Sequence, residues 1–525
     1  MKSGAAPAGR NWANAHGKSL GLGALISMIL LSALLALMNS PLLNARLSDS
    51  AVLALYGALF LPWGLLIWRS GAGSTEPKFQ IRWPHLIATG IIVRVLFLAA
   101  EPLLSDDIFR YVWDGRVAAQ GINPFLYPPD SDALSHLRDA SIWPHINHGS
   151  VSTIYPPGAQ FIFHLNALLG GGTHLLRAIF LVIEAVAVGS AGWILSRMSA
   201  GFDTARLKLA FSTYALCPLV FVETAWSGHL DVVAWMTLIL ALILMMRAST
   251  KRALLLGGAL FGASIATKFL GILAIPLILL GARSAHEPNF AAACIRRLSF
   301  LAVAAAIIAA CYLPYMSAGP KLFSGFGTYA SSWQSNAGPF RLGADLGEYT
   351  LLQRAPEANS DRLTRSEDKI ILHFSRLDEP AKRLGFTRMW QGQEVPATSF
   401  AAEQVNHTLT KLVAAFLVGL AMLWAILVRR DLLAGTLLIL LTLFFVAPVV
   451  HPWYVAWLLP FAALRRSPAS LTFAPAVLLA YLAWIAARSG ASWQVPAWAL
   501  VLEFGAVGLV AWWFAGDDWG GAKLM

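Results

Sequence analysis

The chain has 525 residues, of which 57% are hydrophobic and only 13% charged, and its mean hydropathy is +0.62. An ordinary soluble domain carries about 25% charged residues. This composition therefore excludes a disordered tail protein, a secreted disulfide scaffold and a soluble enzyme on one anchor, and points to a polytopic membrane protein. The net charge of +11 does not indicate nucleic acid, because Lys and Arg sit in pairs at the ends of apolar runs, where membrane topology explains them. Cys217, Cys294 and Cys311 are widely spaced in or beside apolar segments and read as small buried residues.

In chain order, the first apolar run, about residues 20–38, is long enough to span a bilayer. It lacks a small-residue cleavage site ahead of a soluble domain and reads as a retained helix. Further runs cover about 51–68, 85–101, 175–197, 209–226, 229–246, 253–267, 269–282, 296–316, 408–428, 432–449, 453–464, 469–487 and 497–515. The spacing predicts an all-α protein with 12–14 transmembrane segments. The runs 253–267, 269–282 and 453–464 are short enough to be broken or re-entrant.

Basic residues set the orientation. With the N-terminus in the cytoplasm, twenty Lys and Arg fall on the inner side. The outer loops of short and medium length hold Arg46, Arg110, Arg116, Arg138, Lys268 and Arg488. Both termini are then cytoplasmic, and two long polar stretches, 102–156 and 317–407, lie on the outer face. The run 157–171 must not span, and is expected to lie at the outer interface. The expected organisation is a leading part (1–84) with two helices, a catalytic module (85–316), the second outer loop (317–407) and C-terminal helices (408–525). No internal repeat of the transporter kind is visible.

The first outer loop carries the chemistry. Asp106 and Asp107 stand about five residues beyond a membrane helix, and two neighbouring acids raise one another's pKa, which suits a proton acceptor or a metal ligand. The competing reading makes Ser105, Asp106 and Asp107 the cap of a helix starting at Ile108. The chain from Ile108 to Gln120 has helical spacing, and Gly121, Pro124, Pro128 and Pro129 end it. A metal held by both acids is the less favoured arrangement, since no His or Cys stands at ligand spacing beside them.

The strings Ser105-Asp106-Asp107-Ile108-Phe109-Arg110-Tyr111, Gly121-Ile122-Asn123-Pro124-Phe125 and Tyr155-Pro156-Pro157 resemble the first outer loop of the GT-C superfamily. The nearest resemblance is to the bacterial polyprenol-phosphomannose-dependent mannosyltransferases. Cys217-Pro218-Leu219-Val220 through Gly228-His229-Leu230-Asp231, Ala266-Thr267-Lys268-Phe269 and His451-Pro452-Trp453-Tyr454 agree with it, in order, over about residues 85–460. The resemblance implies a GT-C fold in the bacterial cytoplasmic membrane, with its site facing outward. It also implies inverting transfer of a sugar, most simply mannose, from a polyprenyl phosphate sugar to a glycolipid or glycan acceptor, without a cofactor. Asp107 matches the family's base position, with Asp106 as runner-up or partner.

Transfer from a lipid phosphate needs a base for the acceptor hydroxyl and cations or donors for the leaving phosphate. Lys268, a lone lysine between short apolar segments, is the leading phosphate contact, and a snorkelling lysine is its rival. His229, which Asp231 could orient, and His451, Tyr454 and Tyr155 are further donor-site candidates. Arg110, one helical turn after the acids, is expected to pair with them or with phosphate. Arg94 is expected to pair with Glu184 or Glu223, and Trp113 and Trp453 are candidate sugar platforms. Residues 317–407 balance ten basic against ten acidic side chains and suit acceptor recognition or a lid. The other classes to weigh are a transporter or flippase and a ligase of polyprenyl-linked glycans. The polar residues cluster near one face, which favours an interfacial enzyme.

Overall fold

Each of the apolar runs folds as helix in the computed structural model, which describes residues 8–40, 47–70, 81–198, 204–281, 286–352, 387–390, 393–428 and 430–514. Among these residues, six helices are long and apolar enough to cross a membrane. A seventh is added if Thr204–Ala215 and Pro218–Trp226, bent by 51°, make one span. Trp83–Ala99, Phe269–Leu280, Leu432–Val446 and Ala497–Trp513 are shorter apolar helices. The protein is thus a helical multi-pass membrane protein. Among the described residues the one small sheet is an antiparallel hairpin of Thr387–Trp390 and Gln393–Pro396, with Thr387 opposite Pro396.

The helix Asp231–Arg247 lies at the centre, with 14 of its 17 residues buried, so it is apolar all round rather than striped. Lys251–Thr267, Thr173–Met198 and Leu432–Val446 pack around it. Peripheral helices show the opposite pattern. Leu412, Phe416, Leu423, Trp424 and Leu427 of Ala397–Leu427 are exposed, as expected of a surface whose solvent is lipid.

Breaks in these helices create the site. Pro218 lacks the N–H a continuing helix needs, and the chain then makes a π turn over Val222–Trp226, which carries Glu223 inward. Lys268 has extended backbone between Lys251–Thr267 and the 3-10 turn Phe269–Ala274. The short run 453–464 is likewise broken, into Pro452–Val455, Ala456–Leu458 and Leu459–Arg465. The run 157–171 forms Pro157–Leu168, about 18 Å at 1.5 Å per residue and too short to span. Gly158 at its start rests on the end of Lys251–Thr267, where a Cβ would lie 2.7 Å from the carbonyl of Ala266. No larger residue lets this helix approach Lys268.

Arg94 pairs with Glu184 rather than Glu223, through two hydrogen bonds of 2.8 Å. Side chains of residues 347–407, most of the second long stretch, lie outside the described residues.

Candidate active site

Asp107 begins the helix Asp107–Ala119, and Asp106 is its N-cap. The cap hydrogen bond comes from elsewhere: Ser105 Oγ accepts from the Asp107 N–H at 3.3 Å, and the Asp106 side chain makes none. Both carboxylates stay available, and both line a cavity of about 670 Å³. They are the only carboxylates among its described lining residues. Asp106 is exposed to the cavity and Asp107 half-buried. Burial within the cavity wall, reinforced by the charge of Asp107, raises the Asp106 carboxyl above its ordinary range.

The same cavity gathers Arg110, Tyr155, Lys268, His451 and Tyr454. Lys268 Nζ donates to both oxygens of Asp231, at 2.6 and 2.7 Å, and sits 4.7 Å from the centre of the Tyr454 ring. Asp231 is fully buried and also accepts from Trp457 Nε1 at 2.7 Å. The compensating anion that the sequence reading assigned to a lipid phosphate is therefore built into the protein. Tyr454 and Tyr329 share a hydrogen bond of 2.6 Å between their hydroxyls.

Arg110 departs from expectation. Its Nε donates to Asp114 at 2.8 Å, one turn along the same helix, rather than to Asp106 or Asp107. Asp114 is anchored by Gln160, whose Nε2 also bonds Thr153 at 2.9 Å. Among the described residues, Arg110 Nη2 has no hydrogen-bond partner, which leaves a donor spare.

His229 and Asp231 stand one layer behind the cavity lining, and they do not form a pair. Gly228, with φ +73°, reverses the chain after the π turn, and a Cβ there would meet Arg177 and Ile108. The turn brings His229 Nδ1 to 3.1 Å from Glu223 Oε2, a close approach without hydrogen-bond alignment. On its other side, Nε2 is hydrogen-bonded to Ser105 Oγ at 3.1 Å and lies 4.0 Å from Asp107 Oδ2. The ring stacks on Trp453 at 3.8 Å, and His451 stacks on Trp453 at 4.3 Å. Burial, with the charges of His229 and Lys268 behind it, pushes His451 down to about 3, so it is neutral.

Of the two sugar-platform candidates, one reaches the cavity and the other does not. Trp453 stacks with both His229 and His451, and Trp113 is buried against Trp143 and absent from the cavity lining. Trp453 lines the cavity, together with Trp333, Trp484 and Trp493. No group of three His, Cys, Asp or Glu converges as a metal set among the described residues.

Residues 17–283, just over half of the chain, match the family model described as alpha-(1->6)-mannopyranosyltransferase, N-terminal domain. The chain belongs to this family. It is a mannosyltransferase of the GT-C kind, as the loop motifs implied. A search of curated proteins gives no match. Asp106, Asp107, Arg110, Tyr155, His229, Asp231 and Lys268 all fall inside the matched span, whereas His451 and Tyr454 reach the cavity from beyond it.

One residue beside this mannosyltransferase's cavity escaped the sequence reading as a site residue. Glu223 is fully buried, and its Oε1 accepts from Tyr56 at 3.1 Å and Tyr481 at 2.7 Å. The available signal was an acid inside an apolar run, which is functional by default.

Proposed function

We propose that the protein transfers mannose from a polyprenyl phosphate mannose in the membrane to a hydroxyl of a glycolipid or glycan, forming an alpha-(1->6) linkage with inversion at C1. The acceptor oxygen bonds to C1 as the bond from C1 to the phosphate oxygen breaks. The phosphate leaves with the electron pair, and the acceptor proton passes to Asp107. Asp106, held toward its neutral form beside it, keeps the cavity from carrying two full negative charges. Lys268, fixed by Asp231, and the Arg110 guanidinium in the cavity wall stabilise charge developing on the phosphate.

The observation that carries this reading is the single cavity in which two carboxylates free of capping meet Lys268 and Arg110. Its apolar lining, including Leu104, Val151, Ile154, Phe269 and Phe326, suits the first isoprenyl units. The basic-residue distribution supports an inner-membrane protein with cytoplasmic termini and an outward-facing site. The catalytic module is residues 85–316. The stretch 317–407 contributes Trp333, Gln334 and Ser335 to the cavity wall, which suits recognition of the acceptor.

Incubation of the purified protein with a panel of polyprenyl phosphate sugars tests the reading. Release of polyprenyl phosphate from the mannosyl donor, dependent on a hydroxyl acceptor, is the expected result. Release from another sugar alone, or from a preassembled glycan alone, contradicts it.

A further inference from the structure

Glu503 is the one charged residue of the helix Ala497–Trp513, and it is fully buried. An ionisable side chain inside an apolar helix is a functional residue by default, and its partner indicates the function. Here the partner is Asn336, whose Nδ2 donates to Glu503 Oε1 at 2.8 Å. Asn336 is buried too, and its φ of +51° is a left-handed conformation that asparagine tolerates better than most residues. It directly follows Trp333, Gln334 and Ser335, which line the cavity.

Two further contacts hold this strap. Ser335 pairs with the chain that leads into His451: its N–H donates to the Pro448 carbonyl at 3.1 Å, and its carbonyl accepts from Val450 at 2.9 Å. Gly338 lies against Phe504, next to Glu503, and a Cβ there would collide with the ring. On the cavity side, the Trp333 ring meets His148 of the first outer loop edge-on, with centres 4.6 Å apart, so the wall joins the two outer stretches.

We infer that residues 333–335 are the acceptor-selecting wall of the site, with Trp333 and Gln334 meeting the acceptor sugar and with Asn336 and Glu503 as the latch that positions them. The inference rests on the mannosyl-transfer reading above and names the acceptor side of the same cavity. Donor and acceptor make different demands. Lys268, Phe269, Phe326 and Tyr454 offer a cation and apolar rings, which suit a phosphate on an isoprenyl tail. The strap offers an indole, an amide and a hydroxyl, a flat apolar face with a few polar groups that suits a sugar ring and its hydroxyls. Trp333 is half-buried and Gln334 exposed, which suits a wall that receives its substrate from the aqueous side.

Octyl α-mannoside, a sugar hydroxyl source on an apolar tail, serves as the acceptor probe, and release of polyprenyl phosphate from the mannosyl donor is the readout. Glu503→Leu removes the latch from behind the wall. It is expected to raise the KM for the acceptor by about 3- to 10-fold, the size of one hydrogen bond. Its KM for the donor and its turnover at saturating acceptor should stay with the wild type. Glu503→Gln keeps an acceptor for Asn336 Nδ2 and should retain the wild-type KM. Asn336→Gly cuts the latch from the other side and suits the left-handed backbone, so it keeps the test open if Glu503→Leu fails to fold. Trp333→Ala removes the ring itself and should raise the acceptor KM by about 10-fold or more. An unchanged acceptor KM in monodisperse Glu503→Leu, Asn336→Gly and Trp333→Ala overturns the assignment, and a fall in thermal stability alone leaves Asn336 and Glu503 a structural pair. A rise in the donor KM alone also overturns it and gives the wall to the donor sugar. A wild-type protein that releases no polyprenyl phosphate from the mannosyl donor with any of a panel of alkyl glycosides overturns the underlying reading, and this inference with it.

Discussion

Arg94 and Lys268 lie within or between apolar segments, and each meets a buried carboxylate. Arg94 directs Nε and Nη2 at Glu184, while Nη1 bonds the carbonyls of Gly90 and Ala215, and Tyr214 donates to the same glutamate. Lys268 meets Asp231 as tightly, yet its other side lies under Tyr454 and on the cavity. The first pair lies away from the cavity, and the second is open to it. Charge inside an apolar segment is thus no mark of chemistry in itself. The open side distinguishes the residue that can meet a ligand.

Breaking the pair away from the cavity should have the largest effect. Glu184→Leu leaves Arg94 uncompensated, which costs about 3–5 kcal/mol. The expected outcome is a large fall in thermal stability in detergent, with turnover per folded molecule preserved. Loss of turnover at unchanged stability would place this pair in the site after all.

The open pair should respond in rate as well as stability. Lys268→Met is expected to lower donor-saturated turnover by about 100-fold. It also strands Asp231, so the double variant Lys268→Met/Asp231→Asn should regain stability without regaining rate. Lys268→Arg should recover part of the rate. Near-normal turnover in both Met variants would remove Lys268 from the site.

How much of this was legible beforehand differs between the pairs and the acids. Every apolar run is helical, because burial in lipid demands long apolar segments whatever the tertiary contacts, whereas Ser324–Ser332 and Gly338–Leu352 are helices in the polar stretch that no run announced. The resemblance of the loop motifs brought Asp107, Lys268 and His229 to one region. The partner of Arg94 was legible as one of two glutamates, whereas the partners within the site were not. Spacing suggested that Asp231, two residues on, orients His229, but the π turn and Gly228 bring Glu223 there instead. The tyrosines that hold Glu223 are 167 residues before it and 258 after it, a separation that local pattern does not report. Arg110 found Asp114 at the helical i,i+4 spacing, a local partner weaker in appeal than the adjacent acids.

A smaller effect sharpens the contrast between the two acids. Because the folded Asp106 carboxyl is raised, its stabilising contribution is full below the ordinary carboxylate pKa and is lost as pH rises through the folded value. Asp106→Asn cannot ionise, so it should melt above the wild type at pH 7, with the gap closing as pH falls below about 4. A gap that widens toward acid would mean that ionised Asp106 is stabilised by a neighbour. The smallest effect is expected from chelation: EDTA should leave turnover nearly unchanged. Loss restored by manganese or magnesium would make the two acids metal ligands.

The central claim is that Asp107 takes the acceptor's proton. Donor-saturated turnover of Asp107→Asn against Asp106→Asn, each checked for monodispersity, tests it most directly. The account predicts that Asp107→Asn loses about 1000-fold or more, within the range for removal of a general base, and that Asp106→Asn keeps measurable turnover. Substantial turnover in Asp107→Asn, with Asp106→Asn inactive, would contradict it and move the base to Asp106.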